Sequence, residues 1–169
     1  SADLMLNLPS YMASERAYQL FQQVAGRSGR GDLEGEVILQ AYNPDHYAIQ
    51  APNYEQFYNI EMDFRKNLNY PPFSKVVHIV FLSTDALIAK DFAEKSYKYL
   101  SNRMFKNGLQ NDVEIFRPNP ALLSKIDGEH RWQILIKVRP EAHERLKPFL
   151  KALDDRFLKE KKCRLSIDL

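Results

Sequence analysis

The sharpest hydrophobic pattern lies in the second half of the chain. Lys75 to Leu82 is a short run of apolar and β-branched residues and predicts a strand. Ala89, Phe92, Ala93, Leu100 and Met104 then share one helical face, and Thr84 or Asp85 is placed to cap that helix. Val113 to Arg117 predicts a short strand, followed by a connection containing Pro118-Asn119-Pro120. From Arg131 to Val138, the residues Trp132, Ile134, Ile136 and Val138 alternate with Arg131, Gln133, Leu135 and Lys137, the mark of a half-buried strand. Leu146, Phe149, Leu150, Leu153 and Phe157 form a second helical stripe, with Pro148 expected to kink that helix or delay its start. Cys163, Leu165, Ile167 and Leu169 alternate with Arg164, Ser166 and Asp168. The order strand, helix, strand, strand, helix, strand is the ferredoxin-like βαββαβ plan, a four-stranded antiparallel sheet with both helices on one face. That plan hosts many unrelated activities, so it assigns no function by itself.

The first half is patterned differently. Ala17, Leu20, Phe21 and Val24 give one apolar face to a helix over residues 14–25, with Ser14 as its N-cap. A glycine-rich turn follows, and then Glu36 to Tyr42, which predicts a short buried strand. Tyr54 to Leu68 is an aromatic-rich helical stretch ended by Tyr70-Pro71-Pro72, where neither proline can continue a helix. The helical spacing of Tyr54, Phe57, Tyr58 and Phe64 favours packing over a base-stacking platform. The expected class is α/β (α+β), divided into residues 1–45, a helical connector over 46–73, and a domain over 74–169.

Composition narrows the chemistry. With 169 residues, 44% of them hydrophobic, the chain can bury one core and part of a second. No run of eighteen apolar residues occurs and the first residues lack an export signal, so no membrane and a cytoplasmic setting are expected. Cys163 is the single cysteine, and His46, His78, His130 and His143 are scattered, so no metal site is expected. A formal charge of +2 excludes a phosphate grip spread over the whole surface and leaves only local nucleic-acid contacts. The basic run Arg156, Lys159, Lys161, Lys162 and Arg164 reads as solvated surface.

The residues that carry chemistry are Gln23-Val24-Ala25-Gly26-Arg27-Ser28-Gly29-Arg30. Two arginines three residues apart, beside a glycine that admits close backbone approach, suit a phosphate-facing turn. Such arginines stabilise the charge that builds on a transferring γ-phosphoryl group. On chemistry alone, a glycine-ended helix with arginines placed favourably for its dipole explains the string equally well.

The string resembles motif VI of superfamily 2 helicases, Gln-x-x-Gly-Arg-x-x-Arg. The stretch from Ala2 to Ile49, the YPPF at Tyr70 to Phe73 and the RWQILIK at Arg131 to Lys137 together resemble the primosomal replication-restart (PriA) family of DNA helicases. The resemblance implies the partial end of a RecA-like helicase lobe followed by the ferredoxin-like C-terminal domain. It implies that Gln23, Gly26, Arg27 and Arg30 line the nucleotide cleft of an ATP-driven 3′-to-5′ helicase, with Arg27 and Arg30 as the catalytic γ-phosphate sensors. ATP with magnesium is the implied cofactor of the full-length protein, with zinc bound upstream and nothing bound by these residues alone. A P-loop, an acidic magnesium motif and paired cysteines are absent from these 169 residues, so no ATP turnover is expected of them in isolation. As implied partners the resemblance gives branched and single-stranded DNA at replication forks, the acidic tail of single-stranded-DNA-binding protein, and other primosome proteins. Arg131, Gln133 and Lys137 are the nearest candidates for DNA or partner contacts. The sequence departs from the family at Pro9 to Arg16, which reads PSYMASER where PDFRASER is common, and at Glu129, where a basic residue is common. If residues 1–45 end a larger lobe, they should fray, pack on the last domain, or pair with another copy. The alternative from another class is a non-enzymatic nucleic-acid or protein interaction domain whose GRSGR turn is structural.

Overall fold

In the computed structural model, which describes residues 2–28, 36–157 and 162–168, the chain divides into two units, Ser1–Leu68 and Asn69–Leu169. The residues of the expected lobe end and most of those of the expected connector fall together in the first.

The first unit is helical: α1 (Asp3–Leu6), α2 (Ala13–Ser28), α3 (Tyr47–Gln50) and α4 (Tyr54–Asn67). Asn53 caps α4 by accepting from the Gln56 N–H at 2.9 Å, and His46 Nδ1 caps α3 by accepting from the Ala48 N–H at 3.1 Å. Tyr18, Ala48 and Phe57 form the small core, with the Tyr18 and Phe57 rings stacked at 4.2 Å. Of the four α4 aromatics, Phe57 is buried as expected, whereas Tyr54, Tyr58 and Phe64 keep substantial exposure.

Three expectations for this unit are corrected. Helix α2 begins at Ala13, so Ser14 lies inside it rather than capping it. Its buried side chains are Ala13, Ala17 and Tyr18, while Leu20 and Val24 of the expected apolar face are 41% and 48% exposed. Residues 36–42 form no strand, and Ile38 and Tyr42 are 87% and 94% exposed. A strand needs a neighbour to take its backbone N–H and C=O groups. Here the segment is tied only at its end among the described residues, where Ala2 donates to the Gln40 carbonyl and the Asp3 carboxylate accepts from the Tyr42 N–H at 2.8 Å.

The second unit follows the expected order with one strand added, β3, so that the sheet has five strands rather than four: β1 (Lys75–Ser83), α5 (Ala86–Lys106), β2 (Val113–Ile115), β3 (Asn119–Ile126), β4 (Glu129–Val138), α6 (His143–Phe157) and β5 (Arg164–Asp168). The sheet is antiparallel in the order β5, β1, β4, with β2 and β3 both along the outer edge of β4. It is a ferredoxin-like α+β arrangement. Asp85 caps α5, accepting from the Leu87 N–H at 2.8 Å and the Ile88 N–H at 3.4 Å. The helix ends where Gly108 takes φ +66° and Leu109 donates back to the Met104 carbonyl. Val77, Ile79 and Phe81 of β1 and Ile134, Ile136 and Val138 of β4 pack with Ala93, Leu100 and Met104 of α5 and Leu146, Leu150 and Leu153 of α6. Cys163 is buried in the same core as a free thiol.

The supposed Pro118–Pro120 connection is in part a strand. Asp127 and Gly128, with φ +49° and +82°, make the two-residue turn that sets Ile126 opposite Glu129 and folds β3 back along β4. Pro120 is tolerated because β3 is an edge strand, and its register against β4 shifts between Pro120 and Lys125. Pro148 sits inside α6 and does not delay its start.

Candidate nucleotide-facing helix and polar sheet face

Glu15, in the first turn of α2, fixes that end of the helix. Its Oε2 takes the Nη2 of Arg65 at 2.7 Å, and the Nε of Arg65 meets Glu61 Oε1 one turn earlier on α4, also at 2.7 Å. The second oxygen of Glu61 accepts the Tyr47 hydroxyl at 2.5 Å, and the Arg65 guanidinium lies 5.3 Å from the centre of the Tyr11 ring. Burial, then the hydrogen bond to Glu61, pushes the Tyr47 hydroxyl up to about 12. Burial holds His46 below its ordinary range, opposed by the charge of Glu61. Burial opposes the charge on Arg65, yet its bonds to Glu61 and Glu15 hold it more firmly protonated.

The other end of α2 is bare. From Gln22 to Arg27 every residue is exposed, so about two and three turns beyond Glu15 the helix presents Gln23 and Arg27 outward. Gln23 lines a cleft of about 620 Å³ with Tyr18, Gln19, Gln22, Pro52, Asn53 and Tyr54. Gly26 was expected to shape a turn, but it continues the helix, which runs to Ser28. Glycine is poor but permitted in a helix. Gly29 and Arg30 lie outside the described residues, so the structure brings together only Gln23, Gly26 and Arg27 of the motif.

On the sheet, register decides which side chains share the face opposite the helices. Arg131 pairs with Leu82 and Gln133 with Val80, while Lys137 pairs with Val76 on β1 and Glu114 on β2. Because Ile134, Ile136 and Val138 face the core, Arg131, Gln133 and Lys137 share the other face, joined across β1 by Arg164, Ser166 and Asp168. Their surroundings differ. Gln133 links three strands, its Oε1 2.8 Å from His78 Nε2 and its Nε2 donating to Asn119 Oδ1 at 2.9 Å. Lys137 is only 6% exposed, its ammonium 3.8 Å from the centre of the Tyr70 ring and 5.1 Å from that of Phe116. Arg131 keeps a buried Nε with no hydrogen-bond partner among the described residues. Glu129, the acidic departure noted above, forms an ion pair with Arg164.

Sequence reading missed the Glu15, Glu61, Arg65 and Tyr47 cluster. The available signal was Glu61 and Arg65 one turn apart, with Glu61 one turn beyond Phe57 on a face otherwise suited to burial. Among the described residues no group of three His, Cys, Asp or Glu side chains is placed to hold a metal ion, so nothing in them fits zinc. No described helix is long and apolar enough to cross a membrane.

Residues 66–169 match the family model of the primosomal protein N C-terminal domain. Three curated relatives carry the name replication restart protein PriA. The one from Borreliella burgdorferi is 36% identical over 142 residues, covering 80% of this chain and 20% of that protein. The Synechocystis protein is 38% identical over 140 residues, covering 81% of this chain and 16% of its own length. The Bacillus subtilis protein is 33% identical over 175 residues, covering the whole chain and 21% of its own length. The chain thus spans about a fifth of the length of the curated relatives it matches.

Proposed function

The chain belongs to the PriA family of replication restart proteins, and from that premise we propose that it is the C-terminal part of an ATP-dependent 3′-to-5′ DNA helicase that restarts stalled forks. In this reading it supplies the motif VI arginines, Arg27 and Arg30, and a domain that contacts DNA and primosome proteins. The observation that carries the reading is the helix end: α2 is clamped at Glu15, and its last turns hold Gln23 and Arg27 out with no buried residue among them.

When ATP is bound by the full-length protein it supplies the phosphoryl group transferred to water. Arg27 and Arg30 would donate N–H bonds to γ-phosphate oxygens and stabilise the charge gathering there, a role worth about a thousandfold or more in rate. Gln23, one turn before Arg27, would line the same cleft. These residues contain no phosphate-cradling loop, so the rest of the nucleotide grip belongs to protein outside them.

On the polar sheet face, the Arg131 guanidinium is the group suited to a phosphate or carboxylate, and Gln133 offers an amide already aligned by His78 and Asn119. Lys137 is held there by its two rings rather than reaching a ligand. Forked and single-stranded DNA and the acidic tail of single-stranded-DNA-binding protein are the partners this chemistry suits. The test is DNA-stimulated ATP turnover by the full-length protein carrying Arg27→Ala or Arg30→Ala. Loss of turnover is expected. Normal turnover in both would leave the rival reading, an interaction domain with a structural GRSGR segment.

A further inference from the structure

On the footing that Arg27 faces a triphosphate, we infer that Arg65 is a positioning residue that aims helix α2. Its guanidinium bridges two carboxylates from different helices, Glu15 at 2.7 Å and Glu61 at 2.7 Å, and Glu61 in turn holds the Tyr47 hydroxyl. Thus one half-buried fork connects α2, α3 and α4, with the Tyr11 ring against its face.

Stability alone does not call for such a device. Apolar side chains of similar volume hold helices together as well as a buried charge cluster does, or better. What they lack is direction, because the planar donors of a guanidinium fix both distance and angle to each oxygen. Direction matters here because the packing is slight: the core of this unit is Tyr18, Ala48 and Phe57, and from Gln22 to Arg27 every residue of α2 is exposed. Arg27 stands about 18 Å along the axis from Glu15, at ~1.5 Å per residue. A roll of about 10° about that axis moves a side-chain tip ~6 Å off axis by about 1 Å. Misplacement on that scale costs about a hundredfold in rate.

The experiment uses the full-length protein and steady-state and single-turnover ATP hydrolysis with saturating forked DNA. Arg65→Gln is expected to lower kcat about ten- to a hundredfold while the KM for ATP stays within about threefold. Arg65→Lys, a point charge without a fork, should recover only part of the loss. Glu15→Gln leaves Arg65 paired with Glu61 and serves as the second variant if Arg65→Gln does not fold; a loss in the same direction is expected. The combination Arg27→Ala/Arg65→Gln should hydrolyse no more slowly than Arg27→Ala, because a misaimed helix matters only while Arg27 is present to be aimed. Wild-type kcat in Arg65→Gln or in Glu15→Gln, beside an inactive Arg27→Ala, overturns the positioning role and spares the motif VI reading. So does a purely additive loss in the double variant, or a lowered melting temperature with kcat per folded molecule unchanged. Normal turnover in Arg27→Ala overturns the motif VI reading instead.

Discussion

Lys137 separates two accounts of the sheet face, because a cation held between rings and a cation waiting for a phosphate respond differently to replacement. Lys137→Met keeps the apolar stem and roughly the volume while deleting the charge. The residue is 6% exposed, and its ammonium lies 3.8 Å from the Tyr70 ring centre, with Phe116 at 5.1 Å. A desolvated cation–π contact contributes about 2 kcal/mol and a longer one about 0.5–1 kcal/mol. Relief of the buried charge's desolvation offsets part of that sum, leaving an expected net loss of about 1–2 kcal/mol. For a unit of this size such a loss lowers the melting temperature by about 4–15 °C. Fork affinity as a function of salt supplies the second readout. Removing a phosphate contact shallows the slope of log K against log salt by about 0.9 for duplex DNA. The slope should be unchanged in Lys137→Met and shallower in Arg131→Met. An unchanged melting temperature together with a shallower slope in Lys137→Met would refute the placement of its charge between the rings.

Two further outcomes follow from packing and from titration. Leu146 is fully buried where α6 meets the sheet, so Leu146→Ala should destabilise the second unit by about 2.5–5 kcal/mol, read from urea unfolding; a loss below about 1 kcal/mol would contradict that packing. The Tyr47 hydroxyl is pushed up to about 12 from an ordinary value of 10.0, so the folded state holds that proton more tightly than the unfolded one. Its contribution is therefore complete below pH 10.0 and fades as the pH rises toward 12, more gently than full burial would give because the group is partly solvated. Tyr47→Phe should flatten the alkaline fall in stability, and an unaltered fall would refute it.

The ferredoxin-like domain was legible because its signals are local. The alternation in β4, the helical spacing of Ala89, Ala93, Leu100 and Met104, and a capping aspartate at Asp85 all point the same way. The edge hairpin was less legible, since Pro120 argues against a strand until the Asp127-Gly128 turn is weighed. Around α2 the reading failed in an instructive way. Leu20, Val24 and Ile38 have the composition of buried positions, yet each keeps a large exposed surface. Local pattern reports what a segment is suited to bury against, and the present chain supplies only part of it. The polar sheet face was placed correctly by period alone. Period could not tell that Lys137 is enclosed by rings while Arg131 keeps an unpartnered donor, because that depends on Tyr70 and Phe116, distant in sequence.

The role of the helix end is tested most directly by comparing two affinities of the full-length protein, one for ADP and one for ADP with aluminium fluoride, which mimics the transferring phosphoryl group. An arginine that acts on charge developing in the transition state should matter for the second ligand and hardly at all for the first. Arg27→Ala is expected to weaken the mimic about a hundredfold or more while leaving ADP within about threefold. Equal, undiminished binding of both ligands by Arg27→Ala would contradict it.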